Sequence, residues 1–251
     1  MSVSFLPVCV PMNSPTRPGR PANPNLRKQR EEEILRAAAR LFAEKGYAPT
    51  DLQELAQRLG VGKGTVYRYF PTKQDLFLAT VKHEITRFTT TLESMVPRDA
   101  PLIEQMSLVI EAYLQFFQQN PDVVELMVIE RSHFKHRRPT YFDLEDDPSC
   151  ARWDALVSAL MEQGIMRSMP LEKVRRVVGD LIYGTMFSNY MAGRIANPQE
   201  QALEIMDLLY GGLLTGEGWE VWKTHMNSLG SVRRLNDHEQ SANSTPASHR
   251  N

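Results

Sequence analysis

Apolar residues recur every three to four positions through most of the chain, from about residue 26 to residue 214. This spacing collects them on one side of an α-helix, and no convincing strand-like alternation is found. Prolines and glycines divide the pattern into segments, because proline suits the first turn of a helix and glycine the position after its end. The sequence predicts an all-α fold of about nine helices, spanning 26–45, 52–59, 63–70, 73–95, 102–119, 121–134, 149–163, 171–194 and 198–214.

Capping signals set the predicted boundaries of the second to fourth helices. Thr50 lies three residues before Gln53, which is capping-box spacing, although Asp51 is an alternative N-cap. The glycines of segment 60–62 indicate a tight turn, and Thr72 is the expected cap of the fourth helix. The expected buried stripe of that helix is Phe77, Val81, Glu84 or Ile85, Phe88, Leu92 and Met95.

Charge is unevenly distributed along the chain. The whole sequence carries a net charge of −1, but residues 15–73 contain twelve Lys or Arg and six Asp or Glu, so the remainder carries −7. A basic N-terminal module on an acidic body is typical of proteins that bind a polyanion. Apolar residues make up 42% of the chain and charged residues 24%, which is ordinary for a soluble globular protein.

The location of the protein is predicted from cysteine usage and from the absence of long apolar runs. Cys9 and Cys150 provide no disulfide framework, which favours a reducing compartment such as the cytoplasm. No apolar run approaches the roughly 20 residues of a membrane span. Residues 1–12 lack the basic start of a signal peptide, and Met12 is an alternative initiation site.

The segment KGTVYRYF, residues 63–70, carries the strongest functional signal. It follows a short helix and a glycine-containing turn, which together describe a helix-turn-helix. In this motif the second helix enters the major groove of DNA, and its N-terminal residues meet base edges. Lys63 and Thr65 lie at that end, while Tyr67, Tyr69 and Lys73 are spaced to donate hydrogen bonds to phosphates on both sides of the groove.

Residues 34–77, ILRAAARLFAEKGYAPTDLQELAQRLGVGKGTVYRYFPTKQDLF, resemble the N-terminal domain of the tetracycline-repressor (TetR) family. The resemblance implies a homodimer that binds a palindromic DNA operator, with a helical body that takes a small-molecule effector. Carried over by position, the implied DNA-contacting residues are Thr50, Gln53, Lys63, Gly64, Thr65, Tyr67, Arg68, Tyr69 and Lys73. Gly62 departs from the family pattern, which often has Ser or Thr there, although glycine is an acceptable cap.

Four parts of the chain follow from these patterns. Residues 1–25 are predicted to be a disordered basic arm, 26–72 the helix-turn-helix domain, 73–225 the effector-binding and dimerisation domain, and 226–251 a disordered tail. Arginines on an extended arm can enter a narrow minor groove, and a solvated tail is the alternative. The arginines concerned are Arg17, Arg20 and Arg27.

The body is predicted to contain an effector cavity, since large apolar side chains recur at inward helical positions. Ligand sites are mostly apolar with a few polar groups, and plain core packing is the alternative for each residue. The candidate lining residues are Phe88, Tyr113, Phe116, Met127, Phe134, Trp153 and Phe187, with Glu130 and Asn189 as polar anchors. A weak likeness of ELMVIERSHF and PTYF to efflux-linked family members suggests control of efflux or stress genes.

The last two predicted helices contain several glycines, which suggests close approach between helices. The resemblance implies a four-helix bundle with a second copy, and the expected seam is Val174, Val178, Leu181, Ile182, Thr185, Ile205, Leu208 and Leu209.

No metal, cofactor or catalytic site is predicted. His133 and His136 are three residues apart, but two ligands at a helix end are weak evidence for a metal. Nucleophile-elbow, phosphate-loop and zincin patterns were not found. The predicted function is therefore a ligand-responsive regulator, most simply a repressor, and the alternatives are a helical enzyme or a small-molecule carrier with an accessory head.

Overall fold

The computed structural model describes residues 24–142 and 148–228. Its helices are α1 (Pro24–Lys45), α2 (Leu52–Arg58), α3 (Lys63–Tyr69), α4 (Lys73–Met95), α5 (Leu102–Gln119), α6 (Pro121–His133), the 3-10 turn η1 (Thr140–Phe142), α7 (Pro148–Glu162), α8 (Leu171–Ala192), α9 (Pro198–Leu213) and α10 (residues 216–228). Across the described ranges, the β-type pairing consists of one isolated bridge between Met166 and Leu214. The all-α prediction is confirmed.

Most predicted helices lie within a few residues of the observed ones, but α10 was not predicted. The predicted tail from residue 226 was wrong at its start, because residues 226–228 still belong to α10. At the other end, α1 begins at Pro24, so residues 24 and 25 are helical rather than part of an arm. The rest of the predicted arm and tail lies outside the described residues.

The caps of α2 and α4 follow the chemistry expected, with one change of residue. Asp51, not Thr50, is the N-cap of α2, and its side chain accepts a hydrogen bond from the backbone N–H of Gln53. Thr72 caps α4 and forms a complete capping box with Asp75. These contacts satisfy N–H groups that the start of a helix leaves without partners.

Helices α1, α2 and α3 and the start of α4 form an N-terminal head around one apolar core. The α1 stripe of Ile34, Ala38, Leu41 and Phe42 is fully buried, as predicted. Leu52, Leu55 and Ala56 of α2, Val66 and Phe70 at α3, and Leu76 and Phe77 of α4 complete this part of the core.

Along α4, the predicted stripe is buried at Phe77, Val81 and Phe88, whereas Leu92 is half-buried and Met95 is exposed. Both Glu84 and Ile85 are buried, which resolves the alternative left open by the sequence. Met95 is 38% exposed because α4 ends there, and the next residue, Val96, takes the buried position.

The body is arranged around α5, which contacts α4, α6, α7, α8 and α9. The head is joined to it by α4 and by packing of α1 against α6. An aromatic junction formed by Phe42, Tyr47, Phe77, His133 and Phe134 lies at this contact, with neighbouring ring centroids 5.0–6.1 Å apart.

Long-range packing holds α10 against the body. Trp222 is buried and meets Tyr210 of α9 edge to face, with ring centroids 4.6 Å apart. Gly218 approaches the turn after α7 so closely that a Cβ atom there would lie 2.0 Å from the carbonyl oxygen of Ile165. Only glycine fits this position without moving the backbone.

Candidate nucleic-acid interface and internal cavity

The connection between α2 and α3 is a tight turn over residues 59–62. Gly60 adopts a φ of +64°, a conformation that glycine tolerates best. The backbone N–H of Val61 donates to the carbonyl oxygen of Ala56 at 2.9 Å, which ends α2. Gly62 is the N-cap of α3 and offers no side-chain hydrogen bond. The structure thus contains the helix-turn-helix that the sequence predicts.

Helix α3 is attached to the head by a narrow apolar side and presents polar groups elsewhere. Val66 is completely buried, and Phe70 follows the helix into the core. The remaining residues of α3 are accessible to different degrees: Lys63, Gly64, Tyr67 and Arg68 are exposed, whereas Thr65 and Tyr69 are half-buried. Gln53 of α2 is also exposed. Most of the predicted DNA-contacting residues therefore form one accessible surface.

Arginine and lysine side chains stack on the tyrosines of this surface. The guanidinium groups of Arg27 and Arg68 lie 5.9 and 5.8 Å from the ring centroid of Tyr69, and the ammonium of Lys63 lies 5.9 Å from that of Tyr67. Such cation–π contacts hold cations at defined positions near a protein surface.

The predicted arm arginines do not form one group. Arg27 belongs to the first turns of α1, so its assignment to an extended arm was wrong, although its contact with Tyr69 keeps it beside α3. Arg17 and Arg20 lie outside the described residues.

Two of the predicted DNA-contacting residues are engaged within the head instead. Thr50 is buried, and its hydroxyl donates to the carbonyl oxygen of Gly46 at 2.6 Å, so its side chain does not face solvent. The Lys73 ammonium donates to the carbonyl oxygens of Ala48 and Thr50, at 2.8 Å each, and lies 4.9 Å from the ring centroid of Tyr47. Burial lowers the pKa of Lys73. Both residues fix the segment between α1 and α2.

A cavity of about 200 Å³ opens in the body between α4, α5, α7 and α8. Its wall is mostly apolar and includes Phe88, Leu92, Val109, Trp153, Leu156 and Ile182. Tyr113 and Tyr141 add a pair of hydroxyls, with their oxygens 2.7 Å apart. Burial raises the pKa of both tyrosines, so the pair is uncharged at neutral pH.

Other polar groups of the wall are also held by the protein. Arg152 donates to the carbonyl oxygens of Glu93 and Val96, at 3.3 and 2.8 Å. Arg175 pairs with Asp154 at 3.2 Å. Because these cations already have partners, the cavity favours a ligand that is largely apolar.

Three of the nine predicted effector-contacting residues line this cavity, namely Phe88, Tyr113 and Trp153. Phe134 instead packs in the aromatic junction, and Phe116, Met127 and Phe187 pack in or against the core. Asn189 lies at a separate pocket beside the end of α8 and exchanges hydrogen bonds with Gln201. For these residues the alternative of ordinary packing describes what is observed.

Glu130 is buried but is not an anchor in the cavity. Its carboxylate accepts hydrogen bonds from the backbone N–H and the hydroxyl of Thr140, at 3.1 and 2.7 Å to the nearer oxygens. A buried carboxylate with two donors is satisfied, so the prediction that Glu130 is a polar anchor for the effector is wrong. The contact instead ties η1 to the last turn of α6.

Sequence reasoning missed Tyr141, Arg152 and Arg175 as cavity residues. Tyr141 lies between the sixth and seventh predicted helices, and the two arginines lie on the seventh and eighth, where the predicted lining residues were apolar apart from Asn189. A helical pattern indicates which side of a helix faces the body but not where packing leaves a gap. An available signal was the tyrosine between Pro139 and the acidic run, since isolated aromatic residues in polar loops often pack inward.

The predicted dimer seam is divided between two faces of α8 and α9. Five of its residues are buried within the chain's own body and are unavailable to a second copy, which corrects the prediction for Val174, Val178, Ile182, Ile205 and Leu209. Leu181 and Leu208 are exposed, the latter by 77%, and Thr185 is half-buried. Val177 and Met191 add exposed apolar surface on α8. The unpartnered face is thus rotated from the predicted one.

Membrane-spanning helices and metal-binding clusters are both absent from the described part of the chain. None of its helices combines the length and apolar character needed to span a membrane. Residues 24–142 and 148–228 also contain no group of three or more His, Cys, Asp or Glu side chains placed to hold a metal ion.

Comparison with protein-family models matches residues 34–80 to the bacterial regulatory proteins of the tetR family. A fatty acid metabolism regulator protein of Bacillus subtilis is 27% identical over 108 residues, which cover 42% of this chain and 56% of that protein. The transcriptional repressor KstR of Rhodococcus jostii is 26% identical over 193 residues, covering 72% of this chain and 84% of the relative. The first of these matches thus spans little more than half of the relative.

Among solved structures, the fatty acid degradation regulator FadR of Bacillus halodurans is similar to this fold with a TM-score of 0.64. The two chains are 18% identical, and the superposition covers 77% of this chain and 98% of the other. The likeness extends well beyond the head, so the body shares the same helical architecture.

Proposed function

Because the chain belongs to the tetR family of bacterial regulatory proteins, we propose that it is a cytoplasmic transcriptional repressor without enzymatic activity. It binds a palindromic operator as a homodimer, and a small apolar or amphipathic effector releases it. The observation that carries this proposal is α3, where only Val66 and the following Phe70 are buried and Tyr69 packs partly against the core, while the side chains of Lys63, Tyr67 and Arg68 are exposed. A helix held in this way can enter the major groove.

The proposal assigns separate tasks to the two parts of the chain. Residues 26–72 read DNA, with Lys63, Gly64 and Thr65 toward base edges and Tyr67, Arg68 and Tyr69 toward phosphates. Residues 73–225 bind the effector and form the dimer through the exposed face of α8 and α9. In the dimer the two α3 helices reach successive major grooves, about 34–36 Å apart.

Release works through a shift between two populations of the dimer. The effector favours a body arrangement in which the two heads no longer match this groove spacing, and it acts only as far as it binds that arrangement more tightly. The mostly apolar cavity supports an apolar or amphipathic effector. Two relatives named for fatty acid metabolism or degradation make a fatty acid a suitable first probe. Control of efflux or stress genes stays a sequence-based prediction.

The DNA-binding proposal is tested by selecting bound fragments from random DNA and measuring their affinity at several salt concentrations. We expect an enriched palindrome whose binding weakens as salt rises, since phosphate contacts release counterions. Thr65→Ala should change the preferred operator, whereas Tyr67→Phe should weaken binding by a similar factor on all sequences. Absence of salt-dependent DNA binding, or turnover of a small molecule, would instead favour a carrier or an enzyme.

A further inference from the structure

Asp51 places a carboxylate inside the surface that is otherwise rich in hydrogen-bond donors. Its Oδ1 atom lies 3.6 Å from the ammonium nitrogen of Lys63, the first residue of α3. We propose that Asp51 is an affinity-determining residue that holds Lys63 in the free protein and weakens the sequence-independent part of DNA binding. This inference rests on the proposed function, because it concerns the same surface.

The position of the carboxylate is fixed by its second contact. Asp51 accepts the backbone N–H of Gln53 at 2.9 Å as the N-cap of α2, so the group cannot turn away without giving up the cap. The hydrogen bond from Gln53 lowers the pKa of Asp51, and the negative charge is therefore present at neutral pH. Lys63 is the cation that pairs with it, and the charge of Lys73 adds a weaker attraction.

A phosphate that Lys63 contacts must come close to this charge. A charge-assisted N–H···O bond is about 2.9 Å long, so a phosphate oxygen on Lys63 lies at most about 6.5 Å from Asp51 Oδ1 while the pair stays in place. This distance is shorter than the Debye length of about 8 Å at physiological salt. DNA must therefore bind against the repulsion of Asp51 or separate Lys63 from it.

The expected consequence is a uniform reduction in DNA affinity. Repulsion acts on phosphates, which occur in every sequence, and so Asp51 weakens operator and unrelated DNA alike. Lower DNA affinity favours regulation by an effector. An effector with a limited preference for the released state can dissociate a moderately bound repressor more readily than a tightly bound one.

Asp51→Asn removes the charge and keeps an N-cap, since Asn caps helices about as well as Asp. We expect about three- to fivefold tighter binding to both operator and unrelated DNA at 0.15 M salt, and a salt dependence steeper by up to about 0.9 in the logarithmic slope. Glu44→Gln is the matched control. It removes one exposed negative charge that pairs with Arg58 at the opposite end of α2, and it should change neither quantity.

A variant that combines Asp51→Asn with Lys63→Met tests whether Asp51 acts on DNA affinity through Lys63. On a Lys63→Met background, Asp51→Asn should lose the part of its benefit that comes from releasing Lys63 and keep the part that comes from removing direct repulsion of phosphates. Thermal unfolding of each variant checks that the cap and fold persist.

The possible outcomes separate this inference from the function on which it rests. If the unmodified protein shows no salt-dependent DNA binding, the proposed function fails. If that protein binds DNA but Asp51→Asn binds equally or more weakly, or if Glu44→Gln tightens binding as much, the role of Asp51 is overturned and the function stands.

Discussion

Lys73 shows how a single side chain can serve the fold where the sequence suggests a ligand contact. Its ammonium donates to two carbonyl oxygens of the segment between α1 and α2, those of Ala48 and Thr50. Its charge also lies over the ring of Tyr47, which belongs to the aromatic junction. Lys73 therefore connects the start of α4 to the segment that precedes the helix-turn-helix.

We predict that Lys73→Met lowers the free energy of unfolding by about 1 kcal/mol. The variant keeps the aliphatic stem but leaves both carbonyls without their donor, and a charged hydrogen bond in a partly exposed place contributes about that much. Urea denaturation measures the change. Lys82→Met, at an exposed position of the same helix, is the control, and an equal loss in both variants would contradict the assigned role.

The chemistry of individual residues was only partly predictable from the sequence. Thr50 and Asp51 both suit the start of α2, and local spacing does not choose between them. The choice is made by tertiary structure, because the Thr50 hydroxyl finds the carbonyl oxygen of Gly46 while Asp51 remains at the surface. Lys73 was placed on DNA for a similar reason, since its partners are more than twenty residues away in the sequence.

Between elements, a partly buried polar network around the buried Glu84 fixes α4 against the turn that joins α5 and α6. Glu84 accepts a hydrogen bond from Arg87 at 2.8 Å and lies 3.2 Å from His83. Arg87 in turn donates to Asn120 at 2.9 Å. Burial alone would raise the pKa of Glu84, but hydrogen bonds from His83 and Arg87 outweigh it, so the pKa lies below its ordinary value of 4.5.

This depressed pKa gives a pH-dependent prediction for Glu84→Gln. The charged form is favoured in the folded state, so its stabilisation is fully present above the ordinary pKa and is lost as the pH falls through the folded-state pKa. We expect the variant to be less stable by about 1–2 kcal/mol at pH 7 and the difference to shrink below about pH 4.5. Urea denaturation across this range measures it. Glu172→Gln, at an exposed position of α8, should show no such trend.

Helix positions were predicted well where local chemistry marks them and poorly where distant contacts decide. Thr72 and Pro121 begin helices by local rules, and both boundaries were found from sequence. The missed helix, α10, has a polar sequence and is held by Trp222 against Tyr210. The predicted dimer seam on α8 was partly wrong for a different reason. The range of the helix was correct, but the side of it that faces the body is set by neighbouring helices.

In the molecule as a whole, α6 contacts the head through α1 and the body through α5 and α8. Tyr141 reaches the cavity wall from η1, and the preceding Thr140 is bound to the buried Glu130 of α6. Phe134, which lies four residues after Glu130, packs edge to face on Tyr47 of the head, with ring centroids 5.2 Å apart. An effector that displaces Tyr141 would therefore act on the end of α6 as well as on α4, the covalent connection between head and body.

We predict that Thr140→Val weakens this coupling. The substitution is nearly isosteric. It removes only the hydrogen bond of 2.7 Å from the Thr140 hydroxyl to Glu130, while the backbone N–H of residue 140 still donates to the same carboxylate. Operator affinity without effector should stay within about twofold, but the factor by which saturating effector weakens operator binding should fall several-fold, since couplings of this kind amount to about 1–3 kcal/mol. Operator titrations with and without effector give both values.

Ser132→Ala provides the comparison for this variant, because Ser132 lies on the exposed side of α6 next to the same turn and donates to the carbonyl oxygen of Ile129. It should leave the coupling factor unchanged. If Thr140→Val and Ser132→Ala both retain the full factor, α6 does not carry the signal. The covalent connection through α4 would then be the route from cavity to head, and substitutions that loosen the Arg87–Asn120 contact should reduce the factor instead.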